Sequence, residues 1–279
     1  MALNDQSTRI RDGEELDAAI IDSYLKAHIP GLSGEPQISQ FPGGASNLTY
    51  LLEYPQQEFV LRRPPFGHKA KSAHDMGREY RILNQLNAGF PYCPKAYVHC
   101  TDESVIGSEF YVMERVNGII LRADLPAELN FSQAQTTQLC KSFIDKLVEL
   151  HNVDYQACGL GDLGKPEGYV ARQISGWSDR YEKALTPDAP LWTEVKAWLN
   201  DKMPADHPKS AIVHNDYRFD NVILDPNDPQ RIIGVLDWEL TTLGDPLMDL
   251  GNTLAYWIEA GDPAPVQLMR RQPSNAPGM

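Results

Sequence analysis

The eight residues His214–Asn221, "HNDYRFDN", constrain this chain more than any other stretch. They lie between two short apolar runs, "AIV" before and "VILDP" after, that read as β-strands. One acid would satisfy a turn between strands. Here His214, Asp216, Asp220 and Asn221 crowd into one loop, and Asp237 closes the next strand-like run, "IIGVLD". Phosphoryl transfer needs few protein groups: a carboxylate to receive a hydroxyl proton, and an amide oxygen with a second carboxylate to hold Mg2+ against phosphates. The pattern H-x-D-x-x-x-x-N supplies Asp216 and Asn221, and Asp237 supplies the second carboxylate. Hard oxygen ligands of this kind suit Mg2+. The plainer alternative makes Asp216 and Asn221 turn caps and His214 a core histidine. It does not account for Asp237 on the following strand.

With 279 residues the chain can bury a large core, in one bipartite domain or two small ones. Apolar content of 42% and charged content of 23% are those of a globular protein. No apolar run approaches the roughly 20 residues of a membrane helix, and the first residues hold no apolar signal segment. A cytoplasmic location and no membrane partner are expected. Cys93, Cys100, Cys140 and Cys158 form no C-x-x-C pair, so reduced structural thiols are expected. The net charge of −13 argues against a nucleic-acid partner. It either draws cationic substrates or serves solubility. A monomer or homodimer is expected.

The first part of the chain reads as strands, "QISQFPGG", "NLTYLLEY", "EFVLRRPP", "KAYVHC" and "EFYVMERV", with one helix over about 74–88. Beyond "VNG" the pattern turns helical. Ser132 and Gln135 form a capping box ahead of the stripe Leu139, Phe143, Ile144, Leu147, Leu150. A second stripe holds Ile174, Trp177, Tyr181 and Leu185, and a third spans 192–203. Short strands return at "AIVH", "NVILD" and "RIIGVLD", and a last helix runs from Pro246 to Ile258. The ending "RRQPSNAPGM" reads as a disordered tail or as a chain cut short.

A strand-rich part ahead of a helical part creates a cleft for a ligand, and the strand-rich part is expected to hold a nucleotide. "FPGGASNLTYLL" is a Gly-Gly hairpin in which Gly43, Gly44, Ser46 and Asn47 could cover phosphates, or an ordinary turn. Arg62 ends the strand "FVLR" and could reach the α- and β-phosphates with Glu79 of the following helix as its partner. A solvated strand end is the alternative for Arg62, and Arg63 is its plausible substitute.

The ordered set "GGASN", "VLRRP", "REYRIL", "YVMERVNG", "HNDYRFDNVILD" and "VLDWELTTLGDPLMDLG" resembles the aminoglycoside phosphotransferase and choline kinase family, across residues 41–251. The resemblance implies an α+β, bilobal, protein-kinase-like fold with a small antiparallel-sheet lobe and a larger helical lobe. It implies a nucleotide-binding lobe over 1–113, a hinge at 114–118 and a catalytic and substrate-binding lobe over 119–279. Asp216 is then the catalytic base, and Asn221 and Asp237 are metal ligands. Glu114 and Val116 offer main-chain groups to adenine, Met113 lines the back of the pocket, and Asp249 braces the loop from a buried position. Glu239 is a further candidate near the metals. ATP, with GTP as the alternative, and Mg2+ are the implied cofactors. Two departures stand out: Arg62 where many members carry Lys, and His-Asn-Asp where antibiotic kinases usually carry His-Gly-Asp.

The same motifs are most similar to the branch fused ahead of acyl-CoA dehydrogenases, which implies a small-molecule hydroxyl acceptor such as a hydroxyacyl-CoA. An aminoglycoside- or choline-type amine suits the acidic charge better. Arg172 and Arg180 could meet an anion or form a solvated helix face, and Trp177 is either core or substrate platform. A non-catalytic nucleotide-binding module would have lost an acid that is present here. A metal-dependent hydrolase using His214, Asp216 and Asp237 would leave the hairpin and "MERV" unexplained. "LDWELTTLGDP" leaves no room for the activation segment of a protein kinase.

Overall fold

The structure is a computed structural model and describes residues 6–42, 47–65 and 75–279. It opens with helix α1 (Ala18–His28), then strands β1 (Gln37–Gln40), β2 (Leu48–Glu53) and β3 (Glu58–Arg63), helix α2 (Met76–Leu86), and strands β4 (Ala96–Cys100) and β5 (Phe110–Glu114). The five strands form one antiparallel sheet in the order β1-β2-β3-β5-β4.

Period-two alternation sorts the strand residues onto two faces. Phe59 and Leu61 of β3 and Phe110 and Val112 of β5 pack with Ile21 and Leu25 of α1. Their neighbours Val60, Tyr111 and Met113 face the other way, joining Ile82, Leu83 and Leu86 of α2 in a core that continues into the rest of the chain. Arg62 follows the same alternation and pairs in register with Tyr111. An arginine is thereby placed on the inner face of the sheet.

The larger part holds α3 (Gln133–His151), α4 (Tyr169–Ala184), α5 (Thr193–Asp201), β6 (Ala211–Val213), β7 (Val222–Leu224), β8 (Ile232–Val235), β9 (Thr242–Gly244), α6 (Pro246–Ala255) and α7 (Ala264–Gln267). Strand β6 pairs with β9 and β7 with β8. Ser132 and Gln135 close the expected capping box, and Leu139, Phe143, Leu147 and Leu150 are buried beneath it. The whole is the expected α+β, bilobal arrangement.

Several expectations are corrected. Helix α1 was not anticipated: Asp17 caps it, but only Ile21 and Leu25 are buried, too short a stripe to stand out. Strand β9 was missed, and α6 ends at Ala255 rather than Ile258. The ending is no loose tail. Gln272 and Ser274 are buried, Gln272 Oε1 accepts from the Phe219 N–H (3.1 Å), and Ser274 Oγ accepts from the Ile258 N–H (3.1 Å). Polar residues that satisfy buried backbone groups can order a segment that composition alone marks as solvated. Trp177 is 63% exposed, so it is not a core residue. It borders a groove of about 980 Å³ between α4 and α5.

Candidate active site

The loop between β6 and β7 alternates between buried and partly exposed residues, although the strands flanking it are buried throughout. Tyr217 and Phe219 are fully buried and stack on Phe143 of α3, at centroid distances of 4.4 and 4.2 Å. Asp216, Arg218 and Asp220 alternate with them and stay partly exposed. From beneath, the fully buried Asp249 of α6 accepts from the N–H groups of His214 and Asn215, both at 2.8 Å, and His151 Nε2 lies 2.9 Å from it. This bracing role matches what the motif resemblance implied.

His214 Nε2 lies 2.8 Å from the Leu236 carbonyl, and its Nδ1 accepts from the Asp216 N–H at 3.2 Å. That network needs the proton on Nε2 and Nδ1 bare. Burial lowers the His214 pKa against the pull of Asp249, which keeps the ring neutral. His214 is thus a loop-bracing group and no metal ligand, as a hydrolase would have required.

Asn221 Nδ2 donates to the Asp216 carbonyl (2.8 Å) and to Asp216 Oδ2 (2.9 Å), leaving Asn221 Oδ1 for a cation. Burial pushes the Asp216 carboxyl up to about 6; Arg218 opposes the rise, Asp237 adds to it, and the Asn221 hydrogen bond opposes it. Across the cleft, Asp237 adopts φ +66°, a left-handed conformation that aspartate tolerates better than most residues. Its Oδ1 lies 3.3 Å from both terminal nitrogens of Arg62. Arg62 Nη1 also donates to Glu79 Oε1 of α2 at 2.5 Å, and Nη2 lies 3.7 Å from Glu239 Oε2. Burial works against the Arg62 charge, but Glu79, Tyr111, Asp237 and Glu239 together raise its pKa well above the usual value. Arg62 Nε is buried without a hydrogen-bond partner.

Next to these acids a cavity of about 180 Å³ is lined by Val60, Met113, Val116, Ile120 and Leu236, with Arg62, Asn221 and Asp237 also on its wall. A partly apolar cavity ending in a cation, a carboxylate and an amide oxygen is a setting for a base joined to phosphates.

The phosphotransferase enzyme family matches residues 37–278 of this sequence. The chain belongs to that family. It is 36% identical over 264 residues to acyl-CoA dehydrogenase family member 11 of Gallus gallus, covering 92% of this chain and 33% of the relative. The chain therefore spans about a third of that relative's length. A crystal structure from Ralstonia eutropha, assigned as an aminoglycoside phosphotransferase, superposes with TM-score 0.75 at 37% identity, over 88% of this chain and 71% of that one. A ternary complex of an aminoglycoside phosphotransferase with streptomycin and ATP shares the fold, with TM-score 0.56 at 20% identity over 84% of this chain and 74% of that one. Both the family and the acyl-CoA dehydrogenase branch agree with the motif resemblance.

In this phosphotransferase, Asp216, Asn221, Asp237, Arg62 and Glu79 converge across one cleft, and Met113, Glu114 and Val116 line the adjoining cavity. Asn47 Nδ2 donates to Glu239 Oε2 at 3.0 Å, tying the end of the hairpin to the Asp237 turn. Gly43, Gly44 and Ser46 lie outside the described residues. Arg63 does not replace Arg62: alternation turns it to the opposite face, where Nη1 donates to the Ile106 carbonyl at 3.0 Å. Arg172 is spent on the carbonyls of Lys165 and Glu167, and Arg180 stacks on Trp177 at 4.7 Å.

Sequence reasoning missed Arg218. Its Nη2 donates to Asp216 Oδ2 at 3.2 Å, and its guanidinium stacks on Tyr256 at 4.7 Å. The alternating pattern of "DYRFD", apolar in and charged out, was the signal that could have found it. Among the described residues no cluster of three or more His, Cys, Asp or Glu could hold a metal by itself. A two-ligand site still suits Mg2+, which keeps waters and borrows phosphate oxygens.

Proposed function

We propose that this phosphotransferase is an ATP- and Mg2+-dependent kinase that transfers the γ-phosphoryl group to the hydroxyl of a small molecule. The observation that carries the reading is the facing of Asp216–Asn221 by Asp237–Arg62–Glu79 across the mouth of an apolar cavity. The donor set fits the cofactors: Asn221 Oδ1 and Asp237 are hard ligands for Mg2+, and the unpartnered Arg62 Nε–H suits a phosphate. When bound, Mg2+ would neutralise charge on the phosphate oxygens.

In this reading residues 1–113 hold the nucleotide, 114–118 form the hinge and 119–279 carry the acceptor. The main chain at Glu114 and Val116 meets the base, and Met113 closes the back of the slot. Arg62, kept charged and aimed by Glu79, holds the phosphates. Asp216 orients the acceptor hydroxyl and takes its proton as the oxygen is phosphorylated. Its raised pKa makes it a better proton acceptor than an ordinary aspartate while leaving it mostly ionised at neutral pH.

For the acceptor, the reading is a hydroxyacyl-CoA, supported by the similarity to a relative that bears an acyl-CoA dehydrogenase name. The test is nucleotide consumption with ATP or GTP and Mg2+ against hydroxyacyl-CoAs, free hydroxy acids, choline and aminoglycosides. Asp216→Asn is expected to lower kcat by about 10²- to 10⁴-fold while Mg·ATP still binds. Full turnover by that variant would remove Asp216 from the chemistry. Consumption with choline or an aminoglycoside in place of the acyl-CoAs would redirect the substrate assignment.

A further inference from the structure

Arg78 and Glu79 are consecutive on α2, so their side chains leave the helix about 100° apart. Glu79 turns to the sheet and Arg62. Arg78 turns to the segment that follows Asp237. Its Nη1 donates to the Glu239 carbonyl at 3.1 Å and its Nη2 to the Thr241 carbonyl. The carbonyl between them, that of Leu240, accepts from Asn215 Nδ2 at 3.0 Å. Three successive carbonyls behind Asp237 are thus held, two by α2 and one by the loop that carries Asp216.

The turn needs such holding. Asp237 sits in a left-handed conformation and leads into a single 3₁₀ turn, Trp238–Leu240, before β9 begins. An arginine fork donating to two carbonyls makes charge-assisted bonds with fixed geometry. We propose that Arg78 is a positioning residue that sets the Asp237 carboxylate in register with α2, so that one helix aims both the phosphate cation, through Glu79, and the metal acid. The inference rests on the kinase reading above.

A second tether on the same helix provides the control. Arg81 Nη1 donates to Asp162 Oδ2 at 3.1 Å and its Nη2 to the Gly159 carbonyl at 3.0 Å. Losing Arg81 loosens α2 from the larger lobe without touching the Asp237 turn. Losing Arg78 leaves that tether in place and frees the turn.

The experiment compares the wild-type chain with Arg78→Ala, Arg78→Lys and Arg81→Ala. Hydrogen exchange over 237–242 in the nucleotide-free protein reads the hold on the turn. Mn2+ affinity in the presence of ADP, and the Mg2+ dependence of turnover, read the acid. Arg78→Ala is expected to speed exchange in 237–242, to weaken Mn2+ binding about 10- to 100-fold and to raise the Mg2+ requirement correspondingly, with the acceptor KM unchanged. Arg78→Lys can keep one carbonyl bond but not the fork, and recovers part of each effect. Arg81→Ala leaves all three readouts near wild type.

If Arg78→Ala and Arg81→Ala shift the readouts equally, or if Arg78→Ala leaves exchange and Mn2+ binding unchanged, the assignment is overturned. Should the wild type consume no nucleotide with any acceptor, the kinase reading fails by itself. Exchange over 237–242 still decides whether Arg78 holds the turn.

Discussion

Asp249 has no solvent contact, and its two oxygens accept the N–H groups of His214 and Asn215 just ahead of Asp216. Truncation to alanine would strand both donors in a buried place. We expect Asp249→Ala to cost about 3 kcal/mol in urea unfolding and to abolish turnover. His214 makes a pH prediction with a definite sign. Burial depresses its folded pKa below the unfolded value near 6.5, so the unfolded chain takes up a proton first as pH falls. The stability from keeping this ring neutral is present above about pH 6.5 and is lost as pH drops toward the folded pKa, by at most about 1.4 kcal/mol per pH unit. Unfolding free energies at pH 7.5 and 5.5 should diverge less in His214→Asn than in the wild type. At this scale Asp216, Asn221, Asp237 and the Arg62–Glu79 pair were legible because their spacing is local or strand-bound. Arg78 was not, since its partners lie more than 160 positions away in the chain.

Elements were read where their period was strong. All five strands of the first sheet, α2 and α3 carry clear alternation or a capped stripe, and each is present. Helix α1 and β9 carried too little pattern: two buried residues in one, three residues in the other. The segment after β5 shows how closely elements are fitted. Ile119 exchanges hydrogen bonds with Leu224 of β7, at 2.9 and 2.8 Å. A Cβ on the preceding Gly118 would overlap Ile223 Cγ2 and the Leu224 carbonyl. A backbone carbonyl cannot step aside cheaply, so Gly118→Ala should pry this segment from β7. We expect a stability loss of about 1–3 kcal/mol and a weaker nucleotide affinity, read by denaturation and by ATP titration.

Across the whole molecule, the nucleotide should act as a clamp if the proposed site holds it, because that site draws Arg62 from the first sheet and Asn221 and Asp237 from the larger part. Mg·ATP at 100 times its Kd should stabilise the fold by roughly 2.7 kcal/mol in thermal unfolding. Asp216→Asn should keep that gain, and Asp237→Asn should lose most of it; equal gains in both variants would remove Asp237 from the metal site. By itself, the sequence determined the five strands of the first sheet with α2 among them, the capped helix α3 and the candidate acids, because alternation, capping and a short polar loop are local and survive without partners. Only the tertiary structure decided which face each charge took. It turned Arg62 and Arg63 to opposite faces of the sheet, left Trp177 at the surface, and docked Gln272 and Ser274 where composition argued for a loose end. It also joined α2 to the Asp237 turn, a contact between segments that no local period encodes.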